Sequence, residues 1–88
     1  MRVDKYLKVA RILKRRTISK ELADNQRVFV NGKPAKPSKD VAVNDEITVL
    51  YGQRYLTVRV IALANQTKKN EANDLYEVID EGYRSNEQ

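Results

Sequence analysis

The spacing of apolar residues changes once along this chain, near Gln26, and that change limits the folds open to it. Before it, Val3, Tyr6, Leu7, Ala10 and Leu13 recur at spacings of 3, 1, 3 and 3, which is one stripe of a helix. After it, Arg27-Val28-Phe29-Val30 reads as a strand, Asn31-Gly32 supplies the positive backbone angles of a tight hairpin turn, and Lys33-Pro34-Ala35-Lys36 returns. Pro34 has no N–H to donate, which confines the return strand to a sheet edge. Residues 3 to 14 are predicted as a first helix. A short second one runs from about Ile18 to Gln26, with Thr17 as its N-cap, Glu21 toward its positive end and Ile18, Leu22 and Ala23 as its apolar face. Val9 and Ile12 fall outside the first stripe, so either a second element covers them or they meet a partner. Pro37-Ser38-Lys39-Asp40 reads as a loop and Asn44-Asp45 as a turn. Glu46 to Tyr51 reads as a strand, Gly52-Gln53 as another turn, and Tyr55 to Leu63 as a long strand with alternating Leu56, Val58 and Val60. Two helices followed by a small sheet predict an α+β fold, the helices packed on a mostly antiparallel sheet, with a short C-terminal tail.

At 88 residues the chain supports one small domain that leaves roughly 40% of its unfolded surface exposed, so no large catalytic cavity is expected. Charge is unevenly placed. Residues 1 to 63 hold 14 basic and 6 acidic residues, whereas residues 64 to 88 hold 3 and 6. An anion-binding domain over 1–63 is therefore expected, with 64–88 a polar, acidic tail partly docked through the apolar island at 75–79 and mobile from residue 80. Cysteine and histidine are both absent, which excludes a disulfide framework and thiolate or imidazole metal ligation. Positions 2, 4, 5 and 8 are charged, and no apolar run approaches signal-peptide or membrane-span length. A cytoplasmic protein without a membrane partner is expected.

The first 20 residues carry eight Lys or Arg against one acid, Asp4, while keeping helical apolar spacing. That pairing points to a structured polyanion-binding surface rather than a loose basic tail. Arg11, Arg15 and Arg16 are the leading phosphate-contact candidates, because a guanidinium can bridge two phosphate oxygens where a Lys ammonium is a mobile point charge. Lys5, Lys8, Lys14 and Lys20 would support them. The start of the second helix, opened by Thr17, would add unpaired amides beside Arg15-Arg16. Asp4, opposite in sign, is expected to orient basic neighbours or cap the first helix. Of the residues in and after the hairpin, Lys36 and Lys39 are better candidates than Lys33 or Asn31, the latter being foremost a turn former. Tyr6 sits on the core stripe and Phe29 between valines, so neither is expected to stack on bases. Without an aromatic pair on adjacent strands, recognition of folded RNA by shape and phosphate is favoured over single strands.

Met1-Arg2-Val3-Asp4-Lys5-Tyr6-Leu7, the basic run Arg11 to Arg16 with Thr17, Val28-Phe29-Val30-Asn31-Gly32-Lys33 and Val43-Asn44-Asp45-Glu46-Ile47 together resemble the S-four-type (alpha-L motif) RNA-binding domain, over about residues 1 to 50. The small size and the Lys-Lys-Asn-Glu-Ala-Asn-Asp-Leu-Tyr tail are most similar to the members of that family that act in bacterial ribosome quality control. The resemblance implies the alpha-L fold and direct contact of Arg2 with RNA. It implies binding of an obstructed large ribosomal subunit through 23S rRNA and its peptidyl-tRNA, and cooperation with the NFACT-type protein RqcH in alanine tailing. A monomer without cofactor or metal is expected. Asn44 departs from the Gly usual before the Asp, and Asn tolerates the left-handed angles the turn requires.

Three other readings stand beside this one. The heat-shock relatives of the family also bind the large subunit with a stranded peptidyl-tRNA but act in recycling, and carry a longer basic extension where this tail is short and acidic. A generic rRNA-binding assembly protein would show the same charge. Catalysis is not expected: Arg2-Val3-Asp4 faintly echoes the Arg-Leu-Asp of pseudouridine synthases, but these 88 residues are not expected to hold a catalytic domain beside the binder, Gly32, Gly52 and Gly82 are scattered, and nucleophilic triads lack a base.

Overall fold

The computed structural model describes residues 1–13, 16–65 and 72–83, and of Arg16, Thr17 and Asn73 the backbone alone. The elements are α1 (Val3–Val9), α2 (Arg16–Asp24), β1 (Val28–Val30), β2 (Lys33–Pro34), β3 (Glu46–Tyr51), β4 (Arg54–Val60), a 3₁₀ turn (Ala72–Leu75) and β5 (Tyr76–Tyr83). The five strands form one antiparallel sheet in the order β2-β1-β3-β4-β5.

Alternation along the strands sorts the two faces. Val28, Val30, Ile47, Val49, Val58 and Val60 turn inward, where they meet Val3, Tyr6, Leu7, Val9, Ala10 and Leu13 from the α1 segment, Ala23 from α2, and Leu75. The predicted stripe is therefore core throughout, and Val9 joins it at 4% exposure, with Ile12 packed at its margin. Glu46, Thr48 and Thr57 lie on the opposite face with Arg59, which sits 3.4 Å from both Glu46 and Glu77 across the three strands.

Both helices end differently from their expected bounds. The first stops at Val9 rather than continuing to Lys14: Arg11 takes a left-handed φ of 60°, its N–H bonds the Lys8 carbonyl (3.0 Å), and the Ile12 N–H bonds the Leu7 carbonyl (3.0 Å). The second stops at Asp24 in the same way, with Gln26 at φ 61°, Gln26 N–H on Ala23 (3.1 Å) and Arg27 N–H on Leu22 (2.8 Å). These are Schellman closures, in which the left-handed position is usually Gly. Here Arg and Gln occupy it, so the ordinary stop signal is missing from the sequence. The second helix also begins earlier than expected, at Arg16, which puts Thr17 inside the first turn rather than before it.

The turns follow their chemistry more closely. Asn31 (φ 53°) and Gly32 (φ 83°) both take the positive angles of the expected hairpin, and Asn44 does so at φ 80°. The return strand, Lys33–Pro34, is shorter than Lys33-Pro34-Ala35-Lys36; one further bond, from the Ala35 N–H to the Val28 carbonyl (2.9 Å), follows it. The fourth strand runs from Arg54 to Val60 rather than from Tyr55 to Leu63. The larger difference lies at the C-terminal side. Residues 80–83, expected to be mobile, continue β5 and pair with Thr57 through Arg54, with a bulge at Thr57/Val58. Pairing with β4, rather than an alternating pattern of its own, makes this segment a strand: five of its eight residues in succession, Glu77 to Glu81, are exposed.

Candidate nucleic-acid interface

A helix of seven residues leaves most of its first-turn amides without partners inside the helix, and the loop after β2 supplies them here. The Val3 N–H bonds the Lys39 carbonyl (2.7 Å), the Asp4 N–H bonds the Pro37 carbonyl (3.3 Å), and the Lys5 N–H bonds Asp4 Oδ1 (2.7 Å). On the N-terminal side Arg2 bridges to Asp40, and the Val41 N–H bonds the Met1 carbonyl (2.9 Å). The backbone thus fastens the 36–40 loop to the start of α1 and brings exposed Lys36 and Lys39 to the same end of the molecule as Arg2.

Asp4 holds this end in order. Its side chain is 1% exposed, and a carboxylate out of water needs partners. Besides the Lys5 amide it has the Arg2 guanidinium, at 3.1 Å from Oδ2, so it orients a basic neighbour as expected, while the N-cap position belongs to Arg2, which makes no side-chain cap bond. Arg2 remains 46% exposed, anchored on one side while other donors of its fork face solvent. A cation so braced loses less side-chain freedom on meeting a phosphate than a free one.

The remaining candidates divide into three groups. Lys8 and Arg11 are exposed, one on α1 and one just beyond it, and Lys5 is half-buried with its Nζ 3.3 Å from Asn65 Oδ1. Lys20 on α2 pairs with Asp24 one turn on, at 3.3 Å; both are more than half exposed, so the pair is worth about 0.3–0.5 kcal/mol and is easily exchanged for a phosphate. Lys14 and Arg15 lie outside the described residues, as do the side chains of Arg16 and Thr17. Lys33, which sequence reasoning ranked below its neighbours, lines a shallow groove with Lys36, Ser38 and Lys39. The regular spacing of these three lysines was the available signal. Asn65 carried none, since its contact with Lys5 spans the whole domain. Asn31 is engaged locally: its amide bonds Asp45 Oδ1 (3.1 Å) and accepts from the Glu46 N–H (3.0 Å), as a turn former should.

The perturbed phenols are donors, not nucleophiles. Burial first, and nearby Tyr76 second, hold the fully buried Tyr6 hydroxyl well above the usual phenol range, and it donates to the Leu75 carbonyl (2.5 Å). The charge of Asp80, then burial and the hydrogen bond between them (3.2 Å), raise Tyr55. Among the described residues no cluster of acids is arranged to hold a metal, and no helix is long and apolar enough to cross a membrane. What this end of the molecule offers is fixed positive charge on a rigid helix-and-loop frame, which suits phosphate contact.

Residues 1–47 match the model of the S4 domain. The chain belongs to the S4 domain family. That match ends inside β3, so the S4 unit contains α1, α2, the hairpin and the 36–40 loop, which are the elements that gather the cations. Among S4 proteins, the chain is 51% identical over 92% of its length to the "RQC P-site tRNA stabilizing factor" of Streptococcus pneumoniae (strain ATCC BAA-255 / R6), covering 92% of that protein. It is equally similar to the protein of the same name from Bacillus subtilis (strain 168), covering 94% of it. Heat shock protein 15 of Escherichia coli (strain K12) is 36% identical over 99% of this chain, which spans 66% of that protein. The trimeric structure of Vibrio cholerae Heat Shock Protein 15 superposes with a TM-score of 0.82 at 33% identity, covering 89% of this chain and 80% of that one. The α+β fold with two helices on an antiparallel sheet is thus that of the S4 relatives.

Proposed function

We propose that this S4 protein is a non-enzymatic RNA-binding factor of ribosome quality control, holding tRNA in the P site of an obstructed large ribosomal subunit. The observation that carries this reading is the 51% identity over nearly the full length of both chains with proteins named for that role. The geometry supports it: Arg2 braced by Asp4, with Lys36 and Lys39 fastened beside it, forms a cationic end that grips phosphates by position rather than by bond making. In this reading the protein works in the cytoplasm on 23S rRNA and peptidyl-tRNA, and steadies the tRNA while RqcH delivers alanyl-tRNA for alanine tailing. Arg15, Arg16 and Thr17 belong to the same proposed RNA surface, together with Lys14. A second reading, recycling of stalled subunits, rests on the resemblance to the heat-shock relatives of the family; the chain is 36% identical to Heat shock protein 15.

The test is co-sedimentation of the full chain with large subunits, with and without peptidyl-tRNA, followed by a tailing assay with RqcH. Retention that requires the tRNA, with tails lost when the protein is omitted, is the expected result. Equal retention on empty subunits with unaffected tailing would overturn the proposal and favour a generic rRNA binder; subunit splitting or tRNA release in place of tailing would favour recycling.

A further inference from the structure

The two edges of the sheet are unlike. β2 is two residues long and ends in Pro34, whereas β5 runs for eight residues without a proline. Val60 turns its backbone toward β3: its N–H bonds the Asp45 carbonyl (2.8 Å) and its carbonyl takes the Asn44 N–H (2.7 Å). Successive strand residues direct these groups to alternate sides, so Arg59, Thr57 and Tyr55 address β5, where they face Glu77, Asp80 and Gly82. The bulge absorbs Ile79. Val78, Glu81 and Tyr83, in between, direct N–H and C=O to the open edge, and no loop among the described residues bonds them there. Beside these groups lie exposed apolar side chains, Val78 at 47%, Ile79 at 40% and Tyr83 at 79%.

A long edge that no described residue covers, with apolar side chains beside it, invites another strand. Its charge selects which. Glu77, Asp80 and Glu81 lie on β5 itself and Asp74 in the turn before it. Glu77 meets Arg59 (3.4 Å) and Asp80 accepts from the Tyr55 hydroxyl (3.2 Å), which leaves the edge net acidic, and a second copy paired antiparallel about Ile79 would set Glu77 against Glu81. RNA is repelled for the same reason. We infer that the open edge of β5 receives an extended, basic polypeptide segment of a protein partner by strand addition. Main-chain hydrogen bonds to Val78, Glu81 and Tyr83 provide the register, and alternating Lys or Arg meets the acids. The edge lies across the sheet from β2 and the 36–39 loop, so protein and RNA can be held together. This inference does not rest on the quality-control reading, only on the sheet and its charge.

The test uses the full chain, ¹⁵N-labelled and free of RNA, titrated with the peptide Lys-Val-Lys-Thr-Lys-Val-Lys and with the same peptide carrying proline at its centre. Slowed amide exchange at Val78, Glu81 and Tyr83 with the first peptide only is expected. Glu81→Pro removes an outward N–H without touching the ladder and should weaken binding about fivefold or more, the equivalent of a lost hydrogen bond and a blocked edge. Glu81→Gln keeps the N–H and should weaken it about twofold. Equal binding of the proline peptide would overturn strand addition, and remains decisive should Glu81→Pro fail to fold. Exchange protection that grows with protein concentration and needs no peptide would overturn it in favour of a second copy.

Discussion

At the residue scale, Arg11 is held where an arginine is ill-suited by backbone and well-suited by charge. Left-handed backbone costs a side-chain-bearing residue about 1 kcal/mol or more relative to Gly, yet the helix stop needs that conformation. Arg11→Gly should therefore raise the unfolding free energy by about 0.5–1 kcal/mol, less the entropy Gly adds to the unfolded chain, while weakening RNA binding. Urea titration and ribosome co-sedimentation of one variant check both halves: lost stability would refute the backbone cost, and unchanged binding would show that the cation has no part in the interface. Tyr6 makes the pH-dependent case. Its hydroxyl keeps its proton in the folded state beyond the pH near 10 at which an unfolded tyrosine loses it, so the unfolded chain binds fewer protons there and stability falls as pH rises. The decline should approach about 1.4 kcal/mol per pH unit above pH 10 from this group, and Tyr6→Phe should abolish that share of it. At neutral pH the same substitution should cost about 0.5–1.5 kcal/mol, the worth of one hydrogen bond, because the Leu75 carbonyl keeps the Ile61 and Ala62 N–H groups. Urea midpoints at pH 8, 10 and 11 for both proteins decide the matter.

At the element scale, the C-terminal segment belongs to the fold. Leu75 is 6% exposed in the core, its carbonyl accepts from Tyr6, Ile61 and Ala62, and β5 continues from it along all of β4. Leu75→Ala should destabilise by about 2–5 kcal/mol, whereas Arg59→Ala, whose partners are about half exposed, should cost less than about 1 kcal/mol. Denaturant unfolding of the two variants tests that ranking, and similar losses would contradict it. The sequence made the inward face of β3 and β4 legible because Ile47, Val49, Val58 and Val60 alternate with polar residues. It made the Asn31-Gly32 hairpin legible through turn chemistry. It showed that 75–79 docks but concealed that the segment is a strand running on to Tyr83, since its residues are mostly exposed and pair only because β4 lies beside them. It concealed both helix ends too, since Arg11 and Gln26 close them without the Gly that usually marks the place.

At the scale of the whole molecule, positive charge gathers around α1 and the 36–40 loop, and negative charge along β5 at the far edge of the sheet. The double variant Lys36→Ala, Lys39→Ala should lower the log–log salt slope of subunit binding by about 0.7–0.9 for each phosphate it no longer neutralises, and leave the unfolding midpoint unchanged because both side chains are exposed. An unchanged slope would place the RNA elsewhere. The same variant separates what local sequence decides from what it does not. Period, turn chemistry and the one-sided charge of the first 20 residues act over a few neighbours at most. They suffice for two helices, a hairpin, an inward face and an expectation of polyanion binding. Which cations stand together was decided by residues far apart in the chain: Lys39 and Pro37 accept the first amides of α1, Asp4 braces Arg2 against that frame, and Tyr6 reaches Leu75. Such pairings form only when the core closes and every buried donor must find an acceptor, and no local pattern encodes that requirement.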